Sequence, residues 1–253
     1  NDGKKKFNLF QLMMTKNFIK KKVLILGGSS DIGVELSKLF IKNGWSVTIH
    51  YSGNNLNFFK KLKNFKIKNI KLNFLKIKNL KNQLKIFSQD KYDSVINLIG
   101  YINNKSYKNM DIDDLSITFK VNTFIPLLIQ RNILTNMIKQ KWGRILNCGS
   151  IGVKYGGGEN TYCYSFSKHA LEFIPSIFKE LSKKNILINN IRVGVADTKI
   201  HKKIKGRNLK KRTKLIPIGR MAKVTEIVDF IYYLSSQKNT YITGETLSIA
   251  GGE

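Results

Sequence analysis

Short apolar runs alternate with helical patterns along this chain, and this alternation constrains the fold more than any other feature of the sequence. Each apolar run has the length of a buried strand, and each helical pattern that follows can return the chain to the same end of a sheet. Such β-α repeats build parallel sheets, because a crossover helix connects successive parallel strands. The sequence therefore predicts an α/β fold, a single doubly wound domain with a seven-stranded parallel sheet flanked by helices.

The boundaries of these elements follow from the pattern. Strands are predicted at residues 23–26, 46–51, 70–74, 94–99, 144–148, 186–192 and 246–249. Helices are predicted at residues 32–42, 56–63, 80–87, 113–139, 162–183 and 224–234. The domain should extend over residues 21–253, after a basic arm at residues 1–20 that is disordered, a processed leader or a remnant of expression. The polar residues 201–214 are the best candidate for a mobile lid.

The charge of the chain raises a different class of function. There are 45 Lys and Arg residues against 16 Asp and Glu residues, a formal net charge of +29, which suits nucleic-acid or anionic-membrane binding. However, only six of the basic residues are Arg, and the lysines are spread along the whole chain. We interpret the charge as a bias of composition on solvated surfaces and expect no specific nucleic-acid partner. A nucleic-acid- or membrane-binding protein on the same fold is the less favoured alternative.

Cysteine usage and hydropathy indicate the compartment. The chain has two cysteines, Cys148 and Cys163, too few for a disulfide scaffold, which favours a reducing environment. No apolar run is long enough to cross a bilayer. We expect a soluble cytoplasmic protein without a bound metal, or an organellar one if the source is eukaryotic.

A turn rich in glycine and serine, at residues 27–33, joins the first predicted strand to the first predicted helix. Backbone N–H groups in such a turn can approach a pyrophosphate, and the helix N-terminus adds a favourable partial charge. The alternative is a tight strand-helix turn that binds nothing. Asp31 is the unusual member, since its carboxylate would either cap the helix or repel phosphates. The predicted cofactor-binding residues here are Gly27, Ser29, Ser30, Asp31, Ile32 and Gly33.

In a dinucleotide-binding fold, the residues at the end of the second strand contact the adenosine ribose. Residues 50–54 include no Asp or Glu, and an acidic side chain there would bind the two ribose hydroxyls and reject a 2′-phosphate. We therefore favour NADP(H) as the cofactor, with NAD(H) as the alternative, although no Arg is present to bind the phosphate. Tyr51 is a candidate cofactor contact that could equally pack in the core.

Tyr164 and Lys168 open a predicted helix, and their spacing of four residues places the phenol and the ammonium on one face. A nearby cation favours the phenolate, which moves the pKa of a tyrosine toward the range useful for proton transfer. Ser150 follows the preceding strand, where its hydroxyl could hydrogen-bond a substrate oxygen. A Tyr-Lys pair alone is mostly a chance surface pair, but its place in the predicted fold makes it a candidate catalytic pair.

Several motifs occur in a fixed order and together resemble the classical short-chain dehydrogenase/reductase family over about residues 20–253. The motifs are residues 27–33, Asn97-Leu98-Ile99-Gly100, Asn122, Ser150, Tyr164-x-x-x-Lys168, and Ile191-Arg192-Val193-Gly194 through Thr198. Residues 217–221, 241–247 and 251–252 are similar to those of bacterial-type 3-oxoacyl-carrier-protein reductases. The resemblance implies a Rossmann-type fold and a nicotinamide cofactor.

The resemblance also implies roles for single residues. Tyr164 would be the general acid/base and Lys168 would bind the nicotinamide ribose and lower the pKa of the tyrosine. Ser150 would orient the carbonyl, and Asn122 would hold a proton-relay water. The implied cofactor contacts are Asn73, Asn97, Gly100, Tyr164, Lys168, Val195 and Thr198. The departures from the family pattern are Leu98-Ile99 for Asn-Ala, Asn73 for Asp and Val193 for Pro.

The sequence therefore predicts an NAD(P)H-dependent oxidoreductase that reduces a ketone to a secondary alcohol, or the reverse, most like a 3-oxoacyl-carrier-protein reductase. A family member that acts on a sugar or polysaccharide precursor is the alternative, because Glu159 and Asn160 would suit a hydroxyl-rich substrate. The expected partners are a small-molecule or carrier-bound carbonyl substrate and further copies of the chain, in a homotetramer or homodimer by family resemblance.

Overall fold

The computed structural model describes residues 20–53, 57–200 and 208–253. The strands are β1 (Lys22–Leu26), β2 (Ser46–Tyr51), β3 (Ile67–Lys71), β4 (Ser94–Asn97), β5 (Gly143–Ser150), β6 (Ile186–Val193) and β7 (Thr246–Ile249). They form a seven-stranded sheet in the order β3-β2-β1-β4-β5-β6-β7, and every neighbouring pair is parallel. The strand order reverses between β1 and β4, where open α/β sheets bind ligands. The predicted doubly wound parallel sheet is confirmed.

The helices connect these strands. They are α1 (Asp31–Lys42), α2 (Asn57–Leu62), α3 (Leu80–Gln83), α4 (Ile112–Phe119), α5 (Ile125–Gln140), α6 (Tyr162–Leu171), α7 (Ser176–Glu180), α8 (Leu209–Lys214) and α9 (Val224–Ser235). A π-helical turn at Lys120–Phe124 joins α4 to α5. Across the described part of the chain, none of the helices combines the length and apolar character that a membrane crossing requires.

Two hydrophobic clusters cover the two faces of the sheet. Alternate residues of a strand point to opposite faces, and in β1 Val23 and Ile25 belong to one cluster while Leu24 and Leu26 belong to the other. Residues of α1 and α9 complete the first cluster, and residues of α5 complete the second. Strands buried on both faces explain why β1 is a continuous apolar run in the sequence.

Several predicted elements have other bounds in the structure: the fourth strand ends at Asn97 and not at residue 99, and the helix expected at residues 80–87 is α-helical only over Leu80–Gln83. Two elements differ further. The third strand ends at Lys71, whereas residues 70–74 were expected, because β3 is an edge strand with one buried side chain, Ile70, and little apolar signal. The helix expected at residues 162–183 ends at Leu171 and resumes at Ser176. Pro175 lacks an N–H and restricts the residue before it, so a helix is interrupted there.

The predicted lid lies partly outside the described residues. Residues 201–207 are not described, whereas α8, at the other end of the segment, is helical and begins after Asn208, whose side chain caps Lys211 N. The arm predicted at residues 1–20 lies outside the described residues up to residue 19.

Candidate active site

A cavity of about 1390 Å³ lies at the carboxyl ends of the strands, among the loops that follow β1, β2, β4, β5 and β6. Pockets for drug-sized ligands measure roughly 300–1,000 Å³, so this cavity has room for a dinucleotide together with a second substrate. Both its position and its size are those of the main ligand site in an open α/β sheet.

The turn after β1 forms one wall of this cavity. Gly27 has a φ of +75°, and a Cβ atom there would lie 3.2 Å from the backbone carbonyl of Leu98. Gly33 lies inside the fold, and a Cβ atom on it would lie 2.6 Å from the Cα atom of Gly28. The turn therefore requires glycine at Gly27 for its conformation and at Gly33 so that α1 can pack directly against it.

Ser30, and not Asp31, is the N-cap of α1. Its Oγ atom accepts a hydrogen bond from Gly33 N at 3.1 Å, so the cap that was one of two roles considered for Asp31 is supplied by Ser30. Asp31 is instead the first helical residue, and its Oδ2 atom accepts a hydrogen bond from Lys199 N at 2.9 Å. This bond ties the glycine-rich turn to the loop after β6 and directs the carboxylate to a backbone donor.

His50, the penultimate residue of β2, supports the same turn. Its Nδ1 atom accepts a hydrogen bond from Gly27 N at 3.3 Å, and its Nε2 atom lies 2.8 Å from Leu72 O, which defines Nε2 as the donor. The ring stacks on Phe74 at a centroid distance of 4.4 Å. Burial lowers the pKa of His50 from 6.5 to about 4, so the ring is neutral near pH 7.

Lys168 is buried beneath the cavity, with 2% of its surface exposed. Its Nζ atom donates hydrogen bonds to Ile99 O at 2.5 Å and to Cys148 O at 2.8 Å. Burial lowers the pKa of this lysine to about 8, which leaves it mainly cationic at neutral pH. The same Nζ atom lies 5.9 Å from the centroid of the Tyr164 ring, as the helical spacing predicts.

Tyr164 and Ser150 line the cavity together with Lys168. The hydroxyl of Tyr164 would lie 3.8 Å from a Cβ atom on Gly100, so the absence of a side chain at Gly100 leaves space beside the phenol. The Oγ atom of Ser150 accepts a hydrogen bond from Gly152 N at 3.2 Å. A hydroxyl that accepts from the backbone still has its own proton to donate to a ligand.

Asn122 is fully buried and does not line the cavity. Its Oδ1 atom accepts from Tyr101 N at 2.7 Å, and its Nδ2 atom donates to Tyr101 O at 3.0 Å and to Ser167 Oγ at 2.9 Å. Both amide protons therefore hold the loop after β4 and helix α6 together. The binding of a water by Asn122 stays a prediction. Asn122 lies in the π-helical turn, and such turns are frequent at functional sites.

The remaining predicted cofactor contacts divide into two groups. Those that line the cavity are Gly27, Ser29, Ser30, Asp31, Ile32, Asn73, Gly100, Val195 and Thr198. Those that lie behind its wall are Gly33, Tyr51 and Asn97. Tyr51 packs against Phe58 and Phe59, and Asn97 accepts a hydrogen bond from Ile99 N at 3.1 Å.

Several cavity residues were not predicted from the sequence. They are His50, Lys61, Lys199, Arg212 and Glu253. Arg212 of α8 forms an ion pair with Glu253, whose other carboxylate oxygen is buried without a partner. Of these residues, only His50 could have been predicted from the sequence, because it lies near the carboxyl end of the second predicted strand, where ligands bind in such sheets. The others join the cavity through contacts between distant segments.

Residues 157–161, which precede Tyr164 and include Glu159 and Asn160, also line the cavity. Within the described residues, no group of His, Cys, Asp and Glu side chains could hold a metal ion.

Comparison with known proteins agrees with this geometry. The family model described as Enoyl-(Acyl carrier protein) reductase, one of the short-chain dehydrogenase models, matches residues 27–253. The 3-oxoacyl-[acyl-carrier-protein] reductase FabG of Aquifex aeolicus is 33% identical over 164 residues, 64% of this chain and 66% of that protein. FabG of Buchnera aphidicola subsp. Schizaphis graminum is 27% identical over 247 residues, 92% of this chain and 97% of that protein.

The fold is shared with a solved structure. The crystal structure of a 3-oxoacyl (acyl-carrier-protein) reductase from Agrobacterium tumefaciens C58 with NADP bound matches with a TM-score of 0.81 at 19% identity. The match covers 92% of this chain and 94% of that one. The similarity of architecture and the match of the family model to most of the sequence lead to one conclusion: the chain belongs to the short-chain dehydrogenase/reductase family, whose members are oxidoreductases acting on carbonyl and hydroxyl groups.

Proposed function

We propose that this protein reduces the ketone of a 3-oxoacyl thioester to the corresponding alcohol, with NADPH as the cofactor. One observation carries the proposal: Ser150, Tyr164 and Lys168 meet in the same cavity as the glycine-rich turn at residues 27–33. A proton donor, a hydrogen-bond donor and a buried cation therefore stand beside a site that fits a dinucleotide.

The cofactor assignment rests on the walls of the cavity. The turn after β1 and the N-terminus of α1 suit a pyrophosphate, while Ser52 and Gly53 lie where an adenosine ribose would bind. Neither of these two residues is acidic, so nothing at this place would reject a 2′-phosphate. The carboxylate of Asp31 accepts from Lys199 N, which reduces its repulsion of a bound phosphate.

The residues of this chain would handle the proton and the developing charge. The cofactor, when bound, supplies the hydride that adds to the carbonyl carbon. Ser150, whose Oγ atom already accepts from Gly152 N, would donate a hydrogen bond from its hydroxyl to the carbonyl oxygen and so orient it, while keeping its own proton. Tyr164 would transfer its phenolic proton to that oxygen, completing the alcohol, and would then recover a proton from water. The cationic Lys168, 5.9 Å from the Tyr164 ring, would stabilise the phenolate formed in this step.

The lining of the cavity favours an acyl chain as the substrate. Apolar and aromatic side chains project from the loops around the catalytic residues, namely Ile102, Ile151, Tyr155, Ile200 and Leu215. Such a surface gains free energy by removing hydrocarbon from water, at about 25 cal/mol per Å². Glu159 and Asn160 also line the cavity and keep a sugar-like substrate as the second candidate. The names of the FabG relatives support the first candidate.

The experiment compares three substrates with one cofactor. Purified protein and NADPH are mixed with a 3-oxoacyl thioester, a 2-enoyl thioester or a keto-sugar, and oxidation of NADPH is followed by absorbance. We expect turnover with the 3-oxoacyl thioester. Turnover with the 2-enoyl thioester alone would contradict ketone reduction, and turnover with the keto-sugar alone would move the protein to the second candidate.

Variants of one helix test the role of the phenol. Tyr164→Phe should retain NADPH binding and lose turnover by at least about 100-fold, since general acid-base catalysis contributes that much. Tyr162→Phe is the matched control, because Tyr162 lies on the same helix and does not line the cavity. Full activity in Tyr164→Phe would refute the proposed role.

We further propose that the protein assembles as a homotetramer or homodimer. Large apolar side chains are exposed in the segment between β4 and β6, and they include Phe124, Phe166, Phe173 and Ile177. Phe124 and Phe166 both contact the ring of Phe119, at centroid distances of 5.9 and 4.9 Å, so these two form one patch. Exposed apolar patches are typical of protein interfaces. Light scattering of the purified protein at several concentrations measures the mass, and a monomer at all concentrations would exclude this assembly.

We expect the protein to act in the cytoplasm. Cys148 and Cys163 are both free and both buried in the structure, as suits a reducing compartment. Fractionation of the source cells followed by immunoblotting would locate the protein, and recovery in an oxidising compartment would contradict this expectation.

A further inference from the structure

The short helix α2 follows β2 and borders the cavity beside Ser52 and Gly53. Asn57, Phe58 and Lys61 of this helix line the cavity. Asn57 and Lys61 are four residues apart, and residues with this spacing share one face of a helix. The face of α2 that contains Lys61 therefore points to the end of the cavity where an adenosine ribose would lie.

Aromatic packing of Phe58 and Phe59 fixes the orientation of α2 against the sheet. Tyr51, the last residue of β2, contacts Phe58 and Phe59 at ring-centroid distances of 5.1 and 5.6 Å. The two phenylalanine rings are 4.1 Å apart, and Phe58 is buried. Such contacts orient the helix, so the backbone of Lys61 has a defined place beside the end of β2.

No carboxylate that lines the described part of the cavity is paired with Lys61. The acidic residues that line the cavity are Asp31, Glu159 and Glu253. Asp31 accepts a hydrogen bond from Lys199 N, and Glu253 is paired with Arg212. None of the ion pairs found among the described residues includes Lys61, whose side chain is exposed. Its positive charge is therefore available to an anionic ligand in the cavity.

We propose that Lys61 binds the 2′-phosphate of NADPH and thereby sets the preference of this protein for NADPH over NADH. The inference rests on the proposed function, since it takes a nicotinamide dinucleotide as the cofactor. A lysine binds a phosphate as a point charge at the end of a long stem, so a residue on a neighbouring helix can reach a phosphate beside β2. Lys61 would supply the cation that residues 50–53 lack.

The experiment measures binding and needs no turnover. Dissociation constants for NADPH and NADH are determined by fluorescence titration for the wild type, Lys61→Ala and Lys61→Glu. The fragments 2′,5′-ADP and 5′-ADP are measured by calorimetry with the same proteins, because they differ in the 2′-phosphate and lack the nicotinamide. Lys60→Glu is the matched control, since Lys60 is exposed on the same helix and does not line the cavity.

We expect Lys61→Ala to raise the dissociation constants of NADPH and 2′,5′-ADP by about tenfold, as for the loss of one charge-assisted contact. Lys61→Glu should raise them further. Binding of NADH and 5′-ADP should change less than about twofold, and Lys60→Glu should bind all four ligands nearly as the wild type does.

Two results would overturn the inference in different ways. Equal weakening of NADPH and NADH in Lys61→Ala, or equal effects of Lys60→Glu and Lys61→Glu, would show that Lys61 does not read the 2′-phosphate, and the proposed reductase function would stand. A wild-type protein that binds neither dinucleotide would remove the proposed function and this inference together.

Discussion

The ammonium nitrogen of Lys168 lies 2.5 Å from the carbonyl oxygen of Ile99, so that helix α6 is joined to the loop after β4. A second bond from the same atom, to Cys148 O, joins the helix to β5. These two bonds hold the cation inside the protein, where burial lowers its pKa to about 8. The loss of solvation is the reason that a lysine here titrates much closer to neutral pH than an exposed lysine does.

A first prediction concerns the pH dependence of cofactor binding. Lys168 carries its charge below a pH of about 8 and loses it above, so the affinity for the anionic NADPH should fall as the pH rises from 7 to 9. Fluorescence titration across this range measures the dissociation constant. In Lys168→Met the affinity should be low at every pH and should show no step near 8. The same step in Lys168→Met would assign it to another group.

The sheet could be predicted well because a strand that is buried on both faces appears in the sequence as a short apolar run. Strands such as β1 and β4 are short apolar runs, and their parallel pairing follows from the helices between them. The edge strand β3 was misplaced because lysine and asparagine occupy most of it. Helix α6 was predicted too long because the apolar spacing is helical on both sides of Pro175, whereas the proline itself interrupts the helix.

The meeting of Ser150, Tyr164 and Lys168 in one cavity was also predictable, since the last two are four residues apart on one helix and Ser150 follows a central strand. The hydrogen bonds that support these residues from neighbouring segments could not be predicted. The amide of Asn122 turned out to hold Tyr101, 21 residues away, and His50 holds both Gly27 and a carbonyl beyond β3. Side-chain bonds between distant segments leave no periodic pattern in a sequence, so they require coordinates.

A second prediction concerns acid stability and His50. The pKa of this ring is about 4 when folded and 6.5 in the unfolded chain, so the unfolded state takes up a proton between these values. Stability should therefore be complete above pH 6.5 and should fall as the pH decreases toward 4. The loss between pH 7 and pH 5 should be about 2 kcal/mol.

Urea denaturation at the two pH values measures this loss. In His50→Asn the amide can still accept from Gly27 N, but it does not titrate, so the protein should lose less stability on acidification than the wild type. His169→Asn removes an exposed histidine on α6 and is the control. An unchanged acid loss in His50→Asn would contradict the assignment.

A third prediction concerns Arg144, which is 1% exposed at the start of β5. Its Nε and Nη2 atoms donate to Asn239 O, and its Nη1 atom donates to Gly143 O and Asn185 O. No carboxylate is paired with it among the ion pairs of the described residues. Burial lowers its pKa to about 10, so the guanidinium still carries its charge at pH 7. Its partners are carbonyl oxygens and the ring of Trp142, whose centroid is 4.3 Å from Cζ.

Replacing this side chain should destabilise the fold without altering the site. Arg144→Met removes the guanidinium donors from four oxygens, namely Gly143 O, Asn185 O, Asn185 Oδ1 and Asn239 O, and we expect a loss of about 3 kcal/mol in the free energy of unfolding. Arg131→Met removes an exposed arginine from α5 and should cost less than about 0.5 kcal/mol. Urea denaturation measures both. A stability of Arg144→Met equal to that of the wild type would show that the buried bonds are not needed.

A fourth prediction concerns a chain of buried amides that crosses the sheet. Asn147 Oδ1 accepts from Asn97 Nδ2 at 3.3 Å and from Gln130 Nε2 at 2.6 Å, and Asn147 Nδ2 donates to Asn190 Oδ1 at 3.2 Å. Asn97, Asn147 and Asn190 are register partners on neighbouring strands. Because Asn97 also accepts from Ile99 N, this chain reaches the residue whose carbonyl holds Lys168.

Asn147→Leu should therefore affect both stability and turnover. Three buried polar groups lose a partner, which should lower the free energy of unfolding by about 2–4 kcal/mol, and the less fixed Ile99 should reduce kcat more than it changes substrate KM. A double-mutant cycle isolates the cause. Asn97→Leu and Asn147→Leu each remove the same hydrogen bond, so the double variant should lose about 1 kcal/mol less unfolding free energy than the two single variants lose together. Asn189→Ala, whose amide bonds Ile242 O outside this chain of amides, should combine additively with Asn147→Leu. If the stability losses of Asn97→Leu and Asn147→Leu were also additive, the two amides would stabilise the fold independently. The chain of amides would then not couple Asn147 to Ile99 and Lys168.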